Sequence, residues 1–332
     1  MDLISLFSNL SPPAGTSGSS PTFAATPIPG YEQHRLAKDE QGNPTLLLAV
    51  SNSSRSRSRS IPLSLEHLMV YHNQSCQITN PNGTAEIGQF TVITCKGSSQ
   101  LLHTYFLNVI SPIIEILGTS FSQNDIDQAI ENLIELFSAL IRPPHKAIQG
   151  LWAELYVIAR SKDPTILVKS WHATKQDRYD FNAGSQRIEV KSVVGRIRQH
   201  HFSLEQLQPP IGTDLLIASI FIERSGKGVS LAELVEQIHS HLNNNPNLAL
   251  HFDQVVASTL GNGWRDGMRD SFDQQLAEQS LEFYEYNVVP SVGNDLPVEI
   301  SEVHFKADLT GKHHANYAHY RSLGGLFQSA LK

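Results

Sequence analysis

Between Gln176 and Lys191 the chain reads Gln-Asp-Arg-Tyr-Asp-Phe-Asn-Ala-Gly-Ser-Gln-Arg-Ile-Glu-Val-Lys, and no other stretch restricts the fold as much. Asn182-Ala183-Gly184-Ser185 offers residues that tolerate the positive φ of a tight reversal, so a β-hairpin is expected there. Its first strand closes on Tyr179-Asp180-Phe181 and its second carries Arg187 to Val193. Side chains alternate across a strand, which sends Ile188 and Val190 to one face and Glu189 and Lys191 to the other. Burying the two β-branched residues therefore leaves a carboxylate and an ammonium side by side, and the turn brings Asp180 back toward them. Two carboxylates and a lysine converging at a sheet edge suit a hard divalent cation and a water to be activated.

A helix is expected just upstream, from about His145 to Ser161, with Ile148, Leu151, Trp152, Leu155 and Ala159 forming one apolar stripe. At 100° per residue Glu154 falls roughly 120° from the middle of that stripe, on the flank shared with Gly150 and Ile158. Alone it reads as a solvated glutamate. Beside the hairpin it becomes a candidate third carboxylate.

Asp180, the turn and Glu189-Val190-Lys191 resemble the D…ExK signature of the PD-(D/E)XK nuclease superfamily. Gly150-Leu151-Trp152-Ala153-Glu154-Leu155 resembles the acidic helix that supplies its additional glutamate. Together they are similar to a little-characterised branch associated with bacterial defence against foreign DNA, over roughly residues 146 to 225. Tyr179 stands where the signature has its proline. The resemblance implies an α/β (α+β) fold of restriction-endonuclease type, a mixed sheet flanked by helices. It implies Mg²⁺ or Mn²⁺ held by Asp180, Glu189 and the backbone carbonyl of Val190, with Glu154 bound directly or through water and Lys191 orienting or helping to deprotonate the attacking water. Asp180, Glu189, Lys191 and Glu154 are thus the catalytic candidates. DNA is the implied substrate, in a restriction or phage-defence system, with other defence-system proteins or further copies of the chain as partners. Asp177 is a rival for Asp180, but it lies further from the hairpin mouth and beside Arg178.

Arg187, Arg196 and Arg198, with His201 after them, make the most basic segment of plausible fixed shape, and a guanidinium fork matches phosphate geometry. They are the candidate nucleic-acid contacts. A second basic run, Arg55, Arg57 and Arg59 between serines, fits a solvated loop better than a phosphate site. The formal charge of −7 at pH 7 argues against coating nucleic acid by bulk electrostatics, while leaving room for a local basic face. It also keeps a second class of function open: a catalytically weak or inactive nuclease-fold subunit that binds DNA or assembles a defence complex.

Cys76 and Cys95 read as buried thiols of a reducing compartment. The first ten residues are too acidic and too short in apolar run for a signal peptide, and no apolar stretch is expected to span a membrane, so a cytoplasmic protein without a membrane partner is expected. Five segments follow from composition and pattern: residues 1–30 a flexible N-terminal segment and linker, 31–98 a β-rich region, 99–144 a helical connector, 145–245 the nuclease-like core, and 246–332 a C-terminal α/β region. Within them, Leu167–Trp171 reads as a strand leading to the hairpin and Asp214–Glu223 as a buried strand. Ser203 to Gln206 and Ser230 to Glu233 have the form of capping boxes. Helices are expected at 253–260 and 264–279, and strands at 281–289 and 298–308. His313, His314 and His319 lack the partners a zinc site needs.

Overall fold

The computed structural model describes residues 2–13, 20–49, 62–144, 146–173, 177–293, 297 and 299–332. The run of Arg55, Arg57 and Arg59 lies outside them. The chain divides into two units, one made of residues 1–143 and 245–262, the other of 144–244 and 263–332.

The first unit opens with α1 (Leu3–Ser8), capped by the Asp2 carboxylate accepting from the Ser5 amide. Leu3 and Leu10 are buried, and the Lys38 ammonium lies 4.3 Å from the centre of the Phe7 ring. Leu3 and Leu10 thus dock a segment that was expected to be flexible. A correction follows at once: the stretch read as linker contains β1 (Thr22–Ile28), with Phe23, Ala25 and Ile28 buried. Its Pro and Thr content masked the alternation of Phe23 and Ala25. Five more strands follow: β2 (Tyr31–Lys38), β3 (Pro44–Ala49), β4 (Leu63–Ser64), β5 (Leu68–Thr79) and β6 (Ala85–Cys95). They pair in the order β1-β2-β3-β6-β5-β4, and β1 also pairs in parallel with β5, so five strands form a closed ring with β4 outside it. Phe23, Ala37, Leu47, Cys76, Ile78, Phe90 and Val92 fill one core cluster there.

Two helices come next, α2 (Gln100–Leu117) and α3 (Gln123–Ala139), the second started by a capping box between Ser122 and Asp125. The helix Pro246–Leu260 packs against both. By length and composition α2 is apolar enough to cross a membrane, contrary to the expectation above. Its Leu102, Phe106, Ile110 and Ile114 are buried within the unit, the pattern of a core helix.

The second unit is built on a mixed sheet with β13-β10-β8-β7 as its order: β7 (Phe181–Ala183), β8 (Gln186–Val193), β10 (Asp214–Phe221) and β13 (Glu282–Glu285). The strands β8 and β10 run parallel, and the outer pairs are antiparallel. Between β8 and β10 the chain forms β9 (Gln199–Ser203), which pairs with β14 (His304–Asp308), and a single 3₁₀ turn at Leu204–Leu207 opened by the expected capping box at Ser203. A further small pair joins β11 (Arg224–Ser230) to β12 (Ser271–Phe272). Helices α4 (Ile148–Arg160), α5 (Pro164–Ser170) and α6 (Leu231–Leu242) pack on β8, β7 and β11, and the short helices Gln274–Ser280 and Gly325–Ala330 pack on β10 and β8. The fold is mixed α/β, consistent with the PD-(D/E)XK type.

Two local expectations fail for identifiable reasons. Residues 167–171 lie mostly in α5, not a strand, because Asp163 caps the Thr165 amide and Pro164 occupies the first helical position, where its missing N–H costs nothing. The helix expected at 264–279 is interrupted: Trp264–Gly267 is one turn, Ser271–Phe272 is a strand, and Asp273 caps a new helix at Gln274–Ser280.

Candidate active site

The hairpin forms as β7 and β8, joined by Gly184-Ser185, with Gly184 at φ 56°. The reversal is tighter than the four residues expected, because Asn182 and Ala183 pair with Arg187 and Gln186. Asp180 therefore sits just before β7, opposite the middle of β8. Its Oδ2 accepts from the Val190 amide at 2.8 Å, and its backbone oxygen accepts from the His172 amide at 3.0 Å. Asp180 is fixed by main chain at both ends of the residue. A residue in a ladder directs its N–H and C=O to the same edge, so the Val190 carbonyl shares the edge on which its amide meets Asp180.

Glu189 and Lys191 lie on the face of β8 that neighbours Ile217 and Ser219 of β10. One oxygen of Glu189, Oε1, accepts from Lys191 Nζ at 2.7 Å and from Gln206 Nε2 at 2.6 Å, while Lys191 also donates to Gln206 Oε1 at 3.1 Å. Among the described residues the other oxygen, Oε2, is buried without a hydrogen-bond partner. Gln206 was legible only as the third residue of a capping box. It closes that box and reaches the site with the same side chain.

Glu154 is 3% exposed, although its flank position suggested solvent. Residues Leu151 through Ile158 are all buried, so α4 is covered all round and the flank is interior. Glu154 Oε2 accepts from Trp171 Nε1 at 2.8 Å and lies 3.1 Å from His172 Nε2. Its Oε1 accepts from Lys146 Nζ at 2.9 Å. The same ammonium donates to Asp180 Oδ1 at 2.9 Å and lies 3.2 Å from His172 Nε2. Lys146 and His172 were not anticipated. His172 adopts φ 42°, a left-handed conformation unusual for a side chain of its size, and that turn is what aims its ring at the two carboxylates.

The electrostatics follow from burial. For Glu189, loss of solvent and the nearby Asp180 charge outweigh the Lys191 ammonium and push the carboxyl up to about 7. Asp180 is likewise raised, by burial and then by Glu154, against the pull of Lys146, His172 and the Val190 amide. Glu154 goes the other way: burial would raise it, but the His172 hydrogen bond and the Lys146 ammonium prevail and hold it below the usual range. Burial also works against the charge on Lys146, yet Asp180 and Glu154 keep its proton bound more tightly than in a free lysine. The cluster has an excess of buried negative charge.

Those properties fit a divalent cation. Glu154, His172 and Asp180 each offer a ligand atom within 4.8 Å of the others, and Glu189 adds an oxygen that no donor among the described residues satisfies. The donors are hard oxygens with one imidazole nitrogen, a set that Mg²⁺ or Mn²⁺ accepts.

The four proposed nucleic-acid contacts divide. Arg196 is exposed, in an ion pair of 3.2 Å with the equally exposed Glu223, and His201 is exposed on β9. Arg187 is turned back on its own hairpin, donating to the carbonyls of Gly184 and Gln186. Arg198 must be reassigned. It is 7% exposed and donates to Ser219 Oγ at 2.8 Å, to the carbonyls of Ser219 and Ser280, and to Glu282 at 2.6 Å. A guanidinium so engaged ties β10 to β13 and is not presented to a phosphate. His200, next to His201, is buried, with Nε2 2.7 Å from Ser219 Oγ, and burial lowers its pKa to about 4.

A family model described as "Putative PD-(D/E)XK family member, (DUF4420)" matches residues 3–310. No curated protein and no solved structure matches the chain.

Proposed function

The chain belongs to this DUF4420 family of PD-(D/E)XK proteins, and from that premise we propose that it is a metal-dependent nuclease hydrolysing DNA phosphodiester bonds in a restriction or phage-defence system. What supports the reading is that Glu154 and Asp180 gather with His172 within 4.8 Å while Glu189, which feels the Asp180 charge, pairs with Lys191; all three carboxylates are buried, and one Glu189 oxygen has no partner among the described residues. Asp180, Glu189 and Glu154 would hold Mg²⁺ or Mn²⁺, with the Val190 carbonyl and His172 as further donors. When bound, such an ion supplies Lewis acidity toward a phosphoryl oxygen and acidifies a coordinated water.

The chain's own residues do the rest. Lys191 is confined: its side chain is 17% exposed, it is held by Glu189 and Gln206, and its Nζ lies 5.2 Å from the centre of the Phe202 ring. From there it orients an attacking water by donating a hydrogen bond and offsets negative charge developing on the phosphate. Gln206 fixes the Glu189 carboxylate so that one oxygen stays directed at the protein donors. Arg196 and His201 are the exposed candidates for positioning the phosphate backbone. A cytoplasmic setting goes with this reading. Cys76 and Cys95 are free and buried, and burial pushes their thiols up to about 11 and about 12, out of reach of easy oxidation.

One observation favours the second reading, a DNA-binding or assembly subunit without hydrolysis. Lys146 already pairs with both Glu154 and Asp180 from within the chain. A plasmid nicking and cleavage assay with Mg²⁺ or Mn²⁺ separates the two. Wild type should cleave, and Lys191→Ala should lose at least a hundredfold in rate. DNA binding without cleavage in either metal would favour the subunit, and equal cleavage by both proteins would remove Lys191 from the mechanism.

A further inference from the structure

Lys146 is the residue that the proposed chemistry does not use. Its ammonium lies 2.9 Å from Glu154 Oε1, 2.9 Å from Asp180 Oδ1 and 3.2 Å from His172 Nε2. These belong to the three residues whose ligand atoms gather within 4.8 Å of one another. A positive charge centred among two carboxylate oxygens and an imidazole nitrogen marks a cation position. We propose that Lys146 is a tethered counter-ion standing where the divalent cation binds, and that it must swing out for the ion to enter. The inference rests on the metal-dependent reading above and adds a step that regulates it.

Charge supports the exchange. Glu154, Asp180 and Glu189 contribute three negative charges when ionised, and Lys146 and Lys191 contribute two positive ones, leaving the cluster one short. Replacing Lys146 by a dication closes that gap. Keeping both would leave one surplus positive charge, with an ammonium and a dication sharing the same donors. Like charges so close in a poorly solvated site repel strongly, so the two exclude each other. Metal–oxygen bonds of about 2.0 to 2.6 Å are also shorter than the contacts the ammonium makes, and the donors would close in where Nζ now stands.

The geometry allows the exit. The Lys146 side chain is 38% exposed, against 4% for Glu154 and 7% for Asp180, so it alone of the three reaches solvent over a sizeable part of its surface. Lysine carries its charge on a flexible four-carbon stem, and rotation about those bonds moves the tip without moving the backbone. Lys146 is the third residue of the second unit, following Pro143-Pro144, and it precedes α4 at an N-cap, Ala147, that has no side-chain hydrogen bond. The plug therefore sits at the loosely tied start of a helix whose Glu154 it contacts.

Two measurements test this. The first is Mn²⁺ binding to the full chain by electron paramagnetic resonance, for wild type, Lys146→Met and Asp180→Asn. Removing the competitor should tighten binding at least tenfold in Lys146→Met, and Asp180→Asn should bind no ion. Equal or weaker binding by Lys146→Met overturns the exchange while leaving the metal site standing. No binding by wild type or Lys146→Met overturns both the exchange and the metal-dependent reading. Because Lys146→Met leaves two buried carboxylates without their ammonium, the second measurement uses the unaltered protein. Acylation of lysines by an activated ester, read by mass spectrometry, should rise at least threefold at Lys146 when Mn²⁺ saturates the protein, with Lys162 and Lys169 as unchanged references. Unchanged labelling at Lys146 in a sample that has bound Mn²⁺ overturns the proposal.

Discussion

Replacing Glu189 by Gln isolates the cost of a buried carboxylate that lacks enough positive charge. In the folded protein burial and the Asp180 charge push this group up to about 7, against its ordinary 4.5. The folded state therefore keeps a proton that the unfolded chain has released, throughout the window between those values. Stability falls with pH wherever the folded state binds more protons, so this group's penalty begins near pH 4.5 and is complete above about 7. At about 1.4 kcal/mol per pH unit the full penalty is about 3 kcal/mol, most of which accrues between pH 5 and 8. Gln keeps the shape and an oxygen for Lys191 and Gln206 but cannot ionise. Urea unfolding in EDTA across that pH range should show wild type losing stability relative to Glu189→Gln by about 2 to 3 kcal/mol. Saturating Mn²⁺ at pH 8 should restore wild type and leave the variant unmoved. Parallel pH profiles for the two proteins would refute the reasoning, because they would mean that Glu189 is already compensated.

Arg198→Met should destabilise the second unit by about 3 kcal/mol, since it removes the buried partner of Glu282 and the donor to the carbonyls of Ser219 and Ser280; weaker DNA binding with unaltered stability would return Arg198 to the phosphate contacts. Gly228→Ala should cost about 1 to 3 kcal/mol or more, because a Cβ there would meet the Phe272 backbone oxygen at 2.1 Å. A melting curve identical to wild type would show that β11 and β12 separate freely. His172→Ala should weaken Mn²⁺ binding more than Mg²⁺ binding, as an imidazole favours the softer ion. Equal losses in the two titrations would remove His172 from the ligands.

The hairpin was legible because its determinants are local: Gly184 for the reversal, and Ile188 and Val190 alternating with Glu189 and Lys191. The same locality made the capping boxes at Ser203 and Ser230 readable. Lys146, His172 and Gln206 were not, for a common reason. Each reaches the site through a contact distant in sequence, such as the 34 residues between Lys146 and Asp180, and no periodicity records where such a side chain points. His172 depends in addition on a left-handed φ that nothing in its residue type requests. Arg198 was misread because charge alone was counted. Its position beside Ser219 and Glu282 depends on the pairing of β10 with β13, which the sequence does not announce. Residues 167–171 show the opposite error: an apolar run suits strand or helix, and the deciding signals, Asp163 and Pro164, lay just before it.

The first unit takes its last helix, Pro246–Leu260, from beyond most of the second. On the ribosome this imposes a delay. When residue 143 has emerged, the closed ring of strands and helices α2 and α3 are all present, yet the helix that packs on α2 and α3 and carries Phe252, Val256 and Leu260 has not been made. At 5 to 20 residues per second the intervening stretch of about 100 residues takes roughly 5 to 20 s to synthesise. Throughout that interval the helical face waits with apolar surface open to solvent and to neighbouring nascent chains. Cells making this protein quickly should therefore depend on chaperones at this stage, and slowing translation between the two halves of the unit should lower the soluble yield.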